Sequence, residues 1–268
     1  MAVVSCASAT LVVWTSGWLH GAAAADDVLD ALGRWGGLHE VAAHDDGTAT
    51  ALDLPGPGEP PVGPALLLAA LRRASATSVR LVLPVPGDAR GLGGRGPLSQ
   101  AALGVGEAAV LPELGVGLVP ERVADGVVRW TAYDLPTTTP PEHVPLGEAD
   151  HGLADALRRA TTSLVTLDVA RNRQNVREEI AALVAESSAQ EWPTGMPPRS
   201  LRVLQRAAEV AAILAVASAD APGGAVSASA TRGRDDALRP VSEAVRRARL
   251  AAVQEAVRVL TDQEAGRH

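Results

Sequence analysis

Two arginines frame the stretch of this sequence best suited to hold a ligand. In "PGDARGLGGRG" (86–96), Asp88, Arg90 and Arg95 are interleaved with Gly91, Gly93, Gly94 and Gly96. A guanidinium presents a fork of N–H donors that matches a carboxylate or a phosphate, and consecutive glycine amides can converge on an anion. The chemistry expected of loop 84–97 is therefore binding of a small anionic or phosphorylated ligand, held by Arg90 or Arg95 and oriented by Asp88. The competing reading is an ordinary surface loop, with glycines at positive φ and solvated arginines. The string GLGGRG also fits G-x-G-x-x-G. A dinucleotide site, however, needs a full helix after the glycines and a second strand ending in an acid. Only "PLSQAAL" can be helical before "GVGE" interrupts it, and Glu113 lies beyond a proline. The chain has no lysine and hence no P-loop. No cofactor is expected.

The remaining reactive side chains form no recognisable constellation. His39 and His44 are five residues apart on one short strand and so point to opposite faces, where they cannot share an ion. Cys6 is the only cysteine, so no disulfide or cysteine metal centre forms within one chain. There is no H-E-x-x-H and no G-x-S-x-G; no metal and no catalytic residue are assigned. Asp168 and Arg171 lie one helical turn apart in "LDVARNRQNVREE" (167–179). They either fix a helix end or line a cleft between the two halves of the chain. Trp14 and Trp18 share a helical face; they are core anchors in a chain without phenylalanine, or an exposed face for a protein partner. In the last helix, Asp235–Arg239 and Glu243–Arg247 are spaced as solvated i, i+4 pairs.

These residues must be positioned by two kinds of segment. "DDVLDALGRW" and "PALLLAALRR" carry helical spacing, the second with Pro64 at its start. Asp46-Gly47 between two short runs predicts a hairpin turn. "SVRLVLPV", "GEAAVLP", "GVGLVPE" and "VVRWTAYDL" are short and strand-like. One clear crossover helix among several strands points to α+β, with a small, mainly antiparallel sheet and helices. "DLPTTTPPEHVPL" (134–146) is a proline-rich connector. Beyond it the spacing predicts an α-helical bundle, with Leu153, Leu157 and Ala160, then Leu201, Leu204, Ala208, Ala211 and Leu214, then Val241, Val245 and Ala248 facing inward, the final helix starting at Pro240. The expected division is 1–135, connector 136–146, and bundle 147–268.

Composition narrows the function classes. The net charge is −7, which argues against nucleic acid as a partner, although an accessory role through the Arg-rich last helix is a third reading. The charge is uneven: residues 1–146 hold 8 Arg against 15 acids, and residues 147–268 hold 16 against 16. Absent Phe and Lys, with two Ile and two Asn, point to a GC-biased genome. All-arginine basic residues therefore do not signal selection for guanidinium chemistry. The first 25 residues are apolar and end in "GAAAAD", yet no basic residue precedes Arg34, so a secretory n-region is missing. No long uninterrupted apolar run implies a membrane partner. The expected setting is a soluble protein of the cytoplasm.

The segments "LPVPGDARGL" (83–92), "GEAAVLPELGVGLVP" (106–120), "LDVAR" (167–171) and "ALRPVSEAVRRA" (237–248) resemble a conserved, functionally unassigned family of proteins from high-GC actinobacteria. The resemblance covers most of the chain. It transfers no activity, cofactor or catalytic residue, and it implies that the N-terminal segment belongs to the folded domain. The leading expectation is a non-catalytic binding or accessory protein with a protein partner, its ligand face lying where loop 84–97 meets the bundle. The alternative is an enzyme or sensor for a small anionic ligand at that loop.

Overall fold

The apolar N-terminal stretch folds into α1 (Ala7–Leu19), and nearly every residue of it is buried, including Ser8, Thr10, Thr15 and Ser16. A helix without a polar face has to sit inside a domain, so this segment is part of the core, as the resemblance implied. The computed structural model describes residues 6–136, 143–166, 176–188, 190–219 and 228–265. They group into two compact units: one of residues 6–142 with 191–197 and 253–268, the other of 143–190 with 198–252.

The first unit is built on a five-stranded sheet in the order β1-β5-β4-β3-β2. The strands are β1 (Leu38–Ala43), β2 (Arg80–Val82), β3 (Ala108–Leu111), β4 (Val116–Ala124) and β5 (Val127–Asp134). β2–β3, β3–β4 and β4–β5 pair antiparallel, while β1 pairs parallel to β5 with Leu38 opposite Val127. The fold is α+β and mainly antiparallel. On β1 the alternation of buried His39, Val41 and Ala43 with half-buried Glu40 and Ala42 gives the strand one core face. Four further helices belong to this unit: α2 (Ala25–Gly33), α3 (Asp46–Leu52), α4 (Pro64–Arg73) and α5 (Pro97–Val105). A short 3₁₀ turn, Pro112–Leu114, joins β3 to β4.

Asp46-Gly47 does not make the predicted hairpin. Asp45 is an N-cap, its carboxylate accepting from the Thr48 N–H at 2.8 Å and the Thr48 hydroxyl at 3.0 Å. The chain therefore enters α3 instead of turning back. Gly47 is not among the residues at positive φ, which the primed hairpin turn would demand. β1 finds its partner in β5 and not in its neighbour.

The second unit is helical: α6 (Leu146–Thr166), α7 (Val176–Ser188), α8 (Pro198–Ala219) and the first part of α9 (Ala228–Ala265). Its core joins Leu153, Ala156 and Ala160 to Val203, Ala207 and Leu214 and to Val241, Val245 and Ala252. On α8 the expected face holds at Ala208, Ala211 and Leu214, which are buried, and differs in the first turns. Val203 and Ala207 are central, and Leu201 and Leu204 sit half-buried at its flank. Nor does the last helix begin at Pro240, which lies inside α9. A proline there removes one backbone donor, and the helix runs through because Val241, Val245 and Ala248 beyond it are anchored in the core. Asp168 and Arg171 lie outside the described residues.

Candidate functional site

The parallel pairing of β1 and β5 brings the C-terminal ends of both strands to one edge of the sheet. His44 leaves β1 there, its N–H donating to the Ala132 carbonyl at 2.8 Å. Its imidazole stacks on the Tyr133 ring, with centroids 4.6 Å apart and planes 29° apart. Asp134 ends β5 beside it. Across from this edge runs the glycine–arginine loop. Leu92 and Leu98 are each 2% exposed and pin its two ends into the core beneath. Gly93 and Gly94, at φ 71° and 99°, carry the chain around the rim between those pegs. Gly117 lets α5 lie close on the sheet, since a Cβ there would fall 2.5 Å from Leu98 Cδ2.

Between the loop and the strand ends is a cleft of about 500 Å³, within the usual range for small-molecule sites. Leu92, Leu98, Leu114 and Val116 supply apolar wall; His44, Tyr133, Arg95 and Asp134 supply polar groups. Burial raises the Tyr133 pKa, and the negative charge of Glu121 adds to that. The Thr48 N–H holds the Asp45 carboxyl below its ordinary value, so Asp45 is an ionised helix cap. Arg95 is exposed, and among the described residues its guanidinium has no ion-pair or hydrogen-bond partner.

The predicted ligand-binding residues separate in space. Gly93 and Arg95 line the cleft. Gly91, at φ 90°, packs under the loop against Val82. Asp88 and Arg90 lie outside the cleft lining and hold each other, with Arg90 Nε and Nη2 donating to the two Asp88 oxygens at 2.8 and 2.9 Å. Nor do Trp14 and Trp18 form an exposed face. Trp18 is buried with the Arg72 guanidinium 4.5 Å over its ring, and half-buried Trp14 donates from Nε1 to the Glu191 carbonyl. His44, Tyr133 and Asp134 were not identified as site residues from sequence. Their only local signal was Asp45-x-x-Thr48, which marks a helix start just after a strand.

A second polar cluster is fully buried. Glu107, just before β3, accepts from the Ser8 N–H at 2.6 Å and from the Cys6 thiol at 3.2 Å. It caps α1 from 99 residues away, and burial pushes its pKa up. His39, on the core face of β1, accepts at Nδ1 from the buried Trp130 indole N–H at 3.0 Å. Burial lowers the His39 pKa, with the Leu32 and Gly36 carbonyls pulling weakly the other way. Both clusters act on packing. Among the described residues no three His, Cys, Asp or Glu side chains are placed to hold a metal ion, and no helix is long and apolar enough to cross a membrane.

Comparison with known proteins adds kinship. Residues 8–145 match the family model "Rv1486c-like protein, N-terminal domain", and residues 147–250 match "Rv1486c-like protein, C-terminal domain". "Uncharacterized protein Rv1486c" of Mycobacterium tuberculosis (strain ATCC 25618 / H37Rv) is 38% identical over 280 residues, covering 92% of this chain and 96% of the relative. "Uncharacterized protein ML1804" of Mycobacterium leprae (strain TN) is 33% identical over 286 residues, with the same coverage of each. No solved structure matches the chain. With both halves matched and relatives aligned over nearly their full length, the chain belongs to the Rv1486c-like protein family.

Proposed function

We propose that the chain is a binding protein for a small anion of low charge, taken up in the cleft beside α5 with Arg95 as the group that holds it. The observation that carries this reading is the unpartnered Arg95 guanidinium on the wall of a 500 Å³ cleft. A guanidinium keeps its charge at any accessible pH and pairs with carboxylates and phosphates through two parallel hydrogen bonds. The other readings of the sequence find less support. A protein partner at Trp14 and Trp18 would need an exposed face, yet Trp18 is buried and Trp14 half-buried. A nucleic-acid stripe on α9 would need free arginines, yet Arg239 and Arg246 pair with Asp236 and Glu243, and Arg249 is 6% exposed.

Thermal unfolding tests the reading against inorganic phosphate, sugar phosphates, nucleotides and small carboxylates. A ligand at 100 times its dissociation constant should stabilise the fold by about 2.7 kcal/mol. For a chain of this size that moves the midpoint by several degrees. The shift should vanish in Arg95→Ala and persist in Arg90→Ala, whose ion pair with Asp88 lies outside the cleft lining. Equal shifts in wild type and Arg95→Ala would move the anion site elsewhere.

A further inference from the structure

We infer that the anion accepted by this cleft carries a planar aromatic ring, which lies against the His44–Tyr133 pair while its charged group reaches Arg95. The inference rests on the anion-binding reading and names its ligand class: a ring-bearing molecule with a single anionic group, such as a nucleoside monophosphate or an aromatic carboxylate.

Three observations point this way. The first is the use of aromatic side chains in a chain that has almost none. There are five Trp, one Tyr and no Phe. Trp18 and Trp130 are buried, and the indole nitrogens of Trp14, Trp35 and Trp130 all donate within the fold. The single tyrosine is kept for the cleft instead, with an exposed imidazole stacked on it. One face of His44 is taken by Tyr133, and both residues line the cleft. A stacked pair of this kind is a platform for a flat π-system.

The second observation is the wall. Half-buried Leu114 and the backbone over buried Leu92, Leu98 and Val116 give a bare phosphate or acetate little to replace its water. A flat ring makes van der Waals contact with such a wall where a small ion does not. The volume of about 500 Å³ suits a ligand of one ring system and its substituents better than an inorganic ion.

The third is the charge balance. Arg95 faces the cleft together with two acids, Asp45 and Asp134. Asp45 is occupied in capping α3, whereas the Asp134 carboxylate has no hydrogen-bond or ion-pair partner among the described residues. One guanidinium beside two carboxylates can match a single anionic group at contact, and every further negative charge on the ligand, as in a triphosphate, adds repulsion from Asp45 and Asp134. Asp134 is then free to take a hydrogen bond from a ring N–H or a sugar hydroxyl. Bare backbone at Gly94 and Gly96, where a Cβ would meet nothing within 4 Å, leaves room for the ligand at the rim.

Calorimetric titration of the full chain tests this with matched probes. Adenosine monophosphate is compared with ribose 5-phosphate and adenosine triphosphate, and phenylacetate with acetate. In the wild type adenosine monophosphate and phenylacetate should each bind about tenfold or more tighter than the ring-free counterpart, in line with the stacking of one ring. The triphosphate should bind more weakly than the monophosphate. In His44→Ala and Tyr133→Leu the gap between ring-bearing and ring-free probes should close, while Arg95→Ala should weaken both kinds alike. His44 is exposed, so His44→Ala folds even if Tyr133→Leu does not, and unfolding midpoints without ligand verify each variant. Which of the two ring-bearing probes binds tighter separates a nucleotide from an aromatic acid. Equal affinity for ring-bearing and ring-free anions in the wild type overturns the inference and leaves the anion site standing. No binding of any probe overturns both.

Discussion

At the scale of single residues, the two buried titratable groups make opposite demands on pH. His39 must stay unprotonated at Nδ1, because that atom accepts the Trp130 N–H. Protonation would set two donors against each other in the core. Its folded pKa lies below 6.5, so its contribution to stability is present above that value. It is lost as the pH falls from 6.5 through the folded pKa. Unfolding free energy of the wild type should fall over that window. His39→Asn keeps an acceptor near the same place but does not titrate, and should show a flatter profile; parallel profiles would contradict this role. Glu107 behaves in reverse. Its pKa is raised from 4.5 by burial, so the folded state favours the neutral acid, and stability is lost as the pH rises from 4.5 through the folded pKa. Glu107→Gln keeps an acceptor for the Ser8 N–H and carries no charge. It should be at least as stable as the wild type at pH 8, with its advantage shrinking towards pH 4.5. Glu107→Ala leaves that N–H buried without an acceptor and should cost about 1–3 kcal/mol. Chemical denaturation at a series of pH values reads both residues.

At the scale of elements, the geometry of the cleft depends on how near α5 approaches the sheet. Gly117 of β4 sets that approach, because Leu98 occupies the space where its Cβ would be, and Leu98 is too buried to swing away. Gly117→Ala should destabilise the protein by about 1–3 kcal/mol through overpacking and should weaken any ligand of the cleft. Retained stability and binding together would show that α5 has slack. The same scale shows what could be read in advance. Pro64 at the start of α4 and the alternation along β5 are local signals, and both elements formed where expected. Asp46-Gly47 misled because a turn motif and a helix N-terminus draw on the same residues, and Asp45 decided between them by finding Thr48. In α8 Ala211 and Leu214 point inward as their spacing suggests, whereas in the first turns Val203 and Ala207 take the core positions and leave Leu201 and Leu204 half-buried. Gly93 and Arg95 were legible as cleft residues because their chemistry lies in one loop. His44, Tyr133 and Asp134 were not, since nothing local places residue 44 beside residue 133. Only the β1–β5 register does that.

At the scale of the whole molecule, the acidic excess lies in the half that carries the cleft: residues 1–146 hold 15 acids and 8 arginines. A lone guanidinium in that setting is noticed by an incoming anion at contact range only, because surrounding carboxylates cancel its field beyond a Debye length. Association of the ligand should therefore lack electrostatic steering and be only weakly sensitive to salt, a trend that stopped-flow measurements at 20 and 200 mM NaCl would check. The long reach of the β1–β5 pair has a consequence in time as well as in space. His39 and Trp130 are 91 residues apart in the chain. At ribosomal speeds of about 5–20 residues per second, strand β1 emerges roughly 5–18 s before the strand it must pair with. During that interval β1 has no route to its native neighbour, and its backbone edge stays available to any other extended chain. The newborn protein thus passes through a period of exposure in which a chaperone, or a second nascent copy, can reach that edge first.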